Sequence, residues 1–363
     1  MKPFSRSTLA LVLREGAVAT RLARNVVATR HGGAKGATAL GLAAAALIAM
    51  FGGALVPTKA QAQGYVFHTL NDPADPPFNG VTFTNLLGIN NSDLIAGFYG
   101  SGQAGDPNKG FLLTPPNTFV PENFPGSAQT QLNGLNNNGV MVGYFYTTNN
   151  GVAFDNQFGF TLKGSNFTEV NNPNTPTSPQ PGVLIENQLL GVNDHDVAVG
   201  FFNDAMGNSH GYTYDIASGT FSPVINVPKA ISTTAAAINN SGEIAGFYED
   251  AGGVTHGFLD NGGLFTTVDP PGATETQLLG LNDQGVAVGF DVDASGAMQG
   301  LVFNSVLDTF TTLDPNGSEG TTLNGINDLG DIVGFFVIGF ILNAAWGLGW
   351  ALFLMLFQKM RAA

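Results

Sequence analysis

One twelve-residue phrase is written six times in this chain. It reads GINNSDLIAGFY from Gly88, GLNNNGVMVGYF from Gly134, GVNDHDVAVGFF from Gly191, AINNSGEIAGFY from Ala237, GLNDQGVAVGFD from Gly280 and GINDLGDIVGFF from Gly325. The starts are 46, 57, 46, 43 and 45 residues apart, and the one long step holds the inserted segment NNPNTPTSPQPG at 171–182. Such a period is that of propeller blades, in which each repeat is one supersecondary unit that cannot bury its own faces.

The phrase has a local physical reading. An apolar pair ends one strand, and the alternating residues after the turn begin the next. The Asn that opens the turn (Asn90, Asn136, Asn193, Asn239, Asn282, Asn327) bonds its own backbone two residues on. The fourth turn position wants positive φ. It is Gly139, Gly242, Gly285 and Gly330 in four copies, and Asp93 and Asp196 in the others; Asp is among the few alternatives that tolerate it. A glycine inside the second strand (Gly97, Gly143, Gly200, Gly246, Gly289, Gly334) marks close approach of another backbone. The Phe or Tyr beside it is expected to fill the space between sheets. Because a catalytic set is singular, residues that recur in every unit are read as turn and packing residues.

Each period carries two further strands. A Gly-led strand follows the phrase (GFLL at 110, GFTL at 159, GYTY at 211, GFLD at 257, GLVF at 300), and then a Phe-led one at 119, 167, 221, 265 and 310. The segment FHTLNDP at 67 supplies a sixth Phe-led strand ahead of the first phrase. The fold predicted is all-β: a β-propeller of six blades, each of about four short antiparallel strands, over residues 64–336. Small sheets arranged radially bury one another's faces and leave short, protected edges. A parallel β-solenoid is the rival, with shorter coils. In the complete units the Gly-led strand starts 11 to 16 residues after the strand glycine, whereas Gly339 comes five after Gly334. Either an N-terminal strand such as GYVF at 64 closes the ring, or the last blade is truncated.

The pattern G-[ILV]-N-[DN]-x-[GD]-x-x-[AV]-G-[FY] resembles that of the bacterial HAF-repeat, or probable extracellular repeat, family, over roughly residues 65–336. The tripeptides His210-Gly211-Tyr212 and His256-Gly257-Phe258 add to the likeness. Their middle residue departs from the family's Ala, and the other units have Lys109, Phe158 and Gln299 in place of His. The resemblance implies an exported, β-rich bacterial protein and assigns no reaction.

Charge narrows the partners. Between 64 and 336 only Lys109, Lys163 and Lys229 stand against 26 acids, so a nucleic-acid partner is not expected. The chain has no cysteine, which excludes disulfides and thiolate chemistry.

The ends differ from the body. A basic stretch, the apolar run ALGLAAAALIAMFGGALV at 39–56 and Ala60-Gln61-Ala62 follow the order of a signal peptide over 1–62. An uncleaved anchor is the alternative. Residues 338–357 (IGFILNAAWGLGWALFLMLF) contain one polar side chain, Asn343, and a short basic tail with Lys359 and Arg361 fills 358–363. That is enough for a membrane-spanning apolar helix with its charges held inside. In outline it is similar to bacterial C-terminal sorting tails, without the Pro-Glu-Pro of one type. A last core strand at 339–342, or a decayed repeat, would produce the same run.

For chemistry, DVDASGAM from Asp291 begins like a calcium loop, with Asp291, Asp293 and Ser295 as oxygen ligands and Gly296 at the turn. Its twelfth position is Val302 instead of an acid, so adventitious calcium is the most it suggests. No cofactor is expected. His210 and His256 occupy equivalent positions in successive units and read as cap residues. The sequence thus points to an exported protein, secreted or displayed at the cell surface, that acts as a non-catalytic binding or structural module for a glycan or protein ligand. The Pro-rich 171–182 insertion is its most individual loop. The alternative is a carbohydrate-active propeller, lectin-like or a glycosidase or lyase, which needs paired carboxylates.

Overall fold

The structure is a computed structural model, and it describes residues 9–14, 17–30, 65–75, 83–103, 105–147, 156–178 and 180–341. Every regular element among them is a strand. Five sheets have four antiparallel strands each, in chain order from the axis outward. Sheet I is Thr84–Ile89, Ile95–Tyr99, Lys109–Thr114 and Thr118–Pro121. Sheet II is Gln129–Leu135, Val140–Tyr146, Gln157–Lys163 and Asn166–Val170. Sheet III is Asn187–Val192, Val197–Asn203, Ser209–Asp215 and Thr220–Phe221. Sheet IV is Ser232–Ile238, Ile244–Glu249, Thr255–Asn261 and Leu264–Val268. Sheet V is Ala273–Leu281, Val286–Asp293, Met298–Asn304 and Thr309–Thr312. The first strands neighbour one another in turn, and Ser318–Ile326 of the sixth sheet lies against Thr84–Ile89 of the first, so the array is a closed propeller.

The sixth sheet departs from six like blades. Ser318–Ile326 pairs with Ile332–Ile341, and Ala17–Arg30 takes the third position. The outer edge of Ala17–Arg30 carries Leu9–Arg14 at one end and Tyr65–His68 at the other. Tyr65–His68, which holds the described part of the GYVF segment, therefore contributes to closure from the fourth position; the place of the missing Gly-led strand is taken by part of the basic leader. Residues 338–341, read from sequence as the start of an apolar helix, continue a strand. The remainder of that apolar run, the basic tail, the 39–56 run and the Ala62 cleavage position lie outside the described residues. Among the described residues no helix is long and apolar enough to cross a membrane.

The repeated glycine shows how a sheet is filled. A Cβ on Gly97, Gly143, Gly200, Gly246, Gly289 or Gly334 would fall 1.8–2.2 Å from a carbonyl oxygen of the first strand of the same sheet. On its other side each of the first five faces a large side chain of the third strand: Phe111, Phe160, Tyr212, Phe258 and Leu301. All five are buried. Burying each such side chain contributes about 1.5–3 kcal/mol. The phenylalanine of the Phe-led strand then packs on it, as in Phe111–Phe119 at 5.0 Å and Phe258–Phe265 at 5.8 Å between ring centres. The aromatic after the glycine, expected to do this filling, is only half-buried at Phe98, Phe201, Phe247 and Phe335. The third strand supplies the fully buried side chain because its residue stands directly over the missing Cβ.

Candidate functional site: the axial cavity

The six first strands converge on the axis, and the turns that end them form one mouth. At each turn the first Asn accepts, on Oδ1, the backbone N–H groups two and four residues on. This is the local role read from sequence, and the fourth position has φ between 57° and 86° in all six copies.

The same side chains also do something no single turn requires. Nδ2 of Asn90 donates to the carbonyl of Asn136, Asn136 to Asn193, Asn193 to Asn239, Asn239 to Asn282, Asn282 to Asn327, and Asn327 back to Asn90, at 2.8–3.4 Å. A second circuit surrounds the mouth. The backbone N–H of Asn91 donates to the side-chain oxygen of Asn137, and so on through Asp194, Asn240, Asp283 and Asp328 back to Asn91, at 2.7–2.9 Å. The sequence signal was present in the second turn position, which is Asn or Asp in every copy although the turn itself does not demand it.

Three carboxylates therefore sit in the outer circuit, with amides between most of them. Burial works against ionisation of Asp194, but donation from Asn137 and Asn240 outweighs it and holds its carboxyl below the usual range. Inside the mouth the circuits enclose a polar pocket of about 90 Å³.

Below the Asn circuit lies a collar of Ile89, Leu135, Val192, Ile238, Leu281 and Ile326, and then a waist where the strands touch. A Cβ at Gly88, Gly134, Gly191, Gly280 or Gly325 would meet the next strand's carbonyl oxygen at 2.6–2.9 Å. Every first strand bulges at this point. Collar and waist belong to a cavity of about 210 Å³ whose wall opposite the turns is Leu87, Asn133, Leu190, Ala236, Leu279 and Asn324. Asn133 and Asn324 donate their amides to the carbonyls of Leu189 and Leu86 in the next sheet, both at 3.0 Å.

The sixfold pattern breaks between sheets II and III. Tyr144 and Gln188 reach the cavity there. The Tyr144 hydroxyl donates to Gln131 Oε1 at 2.6 Å. Gln188 donates to Gln157, which donates to Glu186 at 3.2 Å, and Glu186 also accepts from Asn203. Burial raises the Glu186 carboxyl above its usual range, against the opposing Asn203 bond. The segment that contains the 171–182 insertion delivers Glu186. Its end is tied to sheet II through Gln157 N–H to Ile185 O at 2.8 Å, and to sheet III through Asn203 N–H to Glu186 O at 2.8 Å.

The other candidates lie elsewhere. Asp293 accepts from Ser295 N–H, Ser295 Oγ and Ala297 N–H, which makes the 293–297 segment a hairpin tip; Asp291 is on the preceding strand. Among the described residues no group of three or more His, Asp and Glu is arranged to hold a metal ion. His210 bridges Asp204 at 3.2 Å and Asn226 at 2.9 Å, and His256 bridges Asp250 at 3.5 Å and Asp269 at 2.7 Å. Each imidazole clasps a hairpin tip to the exit of the outer strand.

No family model and no curated protein matches the chain. Among solved structures, TolB from Acinetobacter baumannii aligns at TM-score 0.47 and 14% identity, over 69% of this chain and 57% of its own. The present chain thus spans little more than half of that protein. AofleA from Arthrobotrys oligospora aligns at TM-score 0.43 and 12% identity, over 78% and 81% of the two chains. The lectin of Aleuria aurantia aligns at 0.41 and 10%, over 74% and 98%. No functional residue is transferred from any of them.

Proposed function

We propose that the chain is an exported, non-catalytic binding module of the HAF-repeat kind, taking its ligand at the axis. What supports this is the use of its recurring polar residues. The amides that sequence repetition makes conspicuous are bonded to neighbouring turns around the whole ring, so they hold the scaffold and leave reaction chemistry to none of the repeated positions. The side chains that enter the cavity from one side of the ring only, Tyr144 and Gln188, lie between sheets II and III, with Glu186 beside the cavity and joined to Gln188 through Gln157. A glycosidase would need two facing carboxylates; the polar network beside the cavity supplies one, Glu186.

Export and anchoring are part of the same proposal, since the leader and the apolar C-terminal run carry them. The test is fractionation of the producing bacterium with N-terminal sequencing, alkaline carbonate extraction, and a glycan array and protein pull-down on the purified chain. A cytoplasmic, unprocessed product that retains nothing on the array or in the pull-down would reject the reading.

A further inference from the structure

The axial cavity has a chemical character of its own. Its named lining, from the collar to the far wall, contains no charged side chain. Four of the six far-wall residues are aliphatic, and the other two, with Tyr144 and Gln188, offer neutral hydrogen-bonding groups. Asn133 and Asn324 spend their amide nitrogens on backbone carbonyls of neighbouring sheets, and their amide oxygens have no donor among the described residues. Gln188 likewise gives its nitrogen to Gln157. Tyr144 donates to Gln131 through its hydroxyl and is also hydrogen-bonded to Tyr146, so it brings a neutral phenol to the cavity wall.

The cavity is small. Its 210 Å³ lies below the roughly 300–1,000 Å³ of pockets that take drug-sized ligands. An anion is disfavoured on both sides, by Asp194, Asp283 and Asp328 at the turn mouth and by Glu186 behind Gln157. A cation finds no carboxylate in the wall to pair with. An apolar molecule would leave the inward amide oxygens unbonded, which costs about 1–3 kcal/mol for each buried group. The remaining class is a ligand with many hydroxyls and no charge, whose O–H groups donate to these oxygens and whose C–H faces lie on the leucines.

We infer that the cavity at sheets II and III takes a single neutral sugar or polyol unit, positioned by Asn133, Tyr144 and Gln188. This rests on the binding-module reading and gives its ligand a class and an address.

The test is ligand-observed NMR and calorimetry on the full chain with D-glucose, D-galactose, D-mannose, L-fucose, myo-inositol and glycerol, and with D-glucuronate as the anionic comparison. At least one neutral probe is expected to bind, with glucuronate at least tenfold weaker than glucose. Gln188→Leu is expected to weaken the bound probe at least tenfold. Tyr144→Phe, which removes one oxygen and keeps the ring, is expected to weaken it severalfold while the chain keeps a cooperative unfolding transition. Binding of none of the six neutral probes would overturn the inference, as would binding that survives both substitutions. A glycan-array signal that survives both substitutions would overturn the axial address while leaving the binding-module reading intact.

Discussion

Asn327 Nδ2 donates to the backbone carbonyl oxygen of Asn90 at 3.1 Å, across 237 residues of sequence. That bond joins the last repeat to the first and completes a circuit in which six identical side chains each bind the next turn. It explains why the phrase is repeated so faithfully. A change at one copy disturbs its own turn and its neighbour's carbonyl together.

The circuit gives the first prediction. Asn282→Ala removes two turn bonds and the bond to the carbonyl of Asn327, which keeps only the Gly330 N–H, and should cost about 2–4 kcal/mol in urea unfolding, from roughly 1 kcal/mol for each of the three bonds lost. Asn91→Ala, in the more exposed outer circuit, should cost less than half as much. Equal losses would show that the inner circuit has no special part in stability.

A second prediction concerns the strand glycines. In Gly200→Ala the new methyl would stand 1.9 Å from the Gln188 carbonyl oxygen, a distance that forces the two strands apart. Loss of cooperative unfolding, or destabilisation above about 3 kcal/mol, is expected, beyond the usual range for overpacking. Gly320→Ala is the control. Its Cβ would meet nothing closer than 3.7 Å, so the variant should melt like the parent.

Asp75 links stability to pH. Burial raises its carboxyl, the Thr84 hydroxyl bond opposes the shift, the charge of Asp106 adds to it, and the result is about 7 against an ordinary 3.8. The folded protein thus holds a proton that the unfolded chain releases. This contribution is fully present below the unfolded value and is lost as pH rises through about 7. Asp75→Asn should match the parent near pH 4 and exceed it at pH 8, by at most on the order of 4 kcal/mol. Denaturant titrations at the two pH values check this. A parent as stable as the variant at pH 8 would exclude a buried, proton-holding Asp75.

The clasp at His256 has a neighbouring pH window. Burial lowers the imidazole's affinity for its proton, but Asp269 and Asp250 more than reverse the effect, and its pKa is raised above 6.5. The stabilisation is therefore complete below the unfolded value and disappears as pH climbs past the folded one. His256→Gln should lower the melting temperature at pH 5.5 and have a smaller effect at pH 8.5.

Processing after Ala62 would remove Ala17–Arg30 from the sixth sheet. The bonds from Asn324, Asn327 and Asp328 to the first sheet do not involve that strand. A chain of residues 63–341 should therefore keep a cooperative fold, while amide exchange accelerates along Ile332–Ile341, whose outer edge has lost its partner. Unchanged exchange there would mean that Ala17–Arg30 does not cover this edge.

Much of the ring was legible in one dimension. The spacing of the phrase determined the number of turns, and the fourth turn position announced its positive φ through Gly139 and Asp196 alike, because local backbone sterics act within a few residues. The strand glycines announced crowding for a different reason: only a missing side chain lets the carbonyl of a neighbouring strand come so close. What the repeat could not disclose is the partner of each group. The bonds that carry Asn90 to Asn136, and Asn327 to Asn90, span dozens to hundreds of residues and exist only once the sheets stand around an axis. The same holds for the meeting of Tyr144 with Gln188 at the cavity and for the entry of Ala17–Arg30 into the last sheet. Periodicity encodes the unit and its turns, whereas closure, cavity and contact between distant side chains follow from how the units pack.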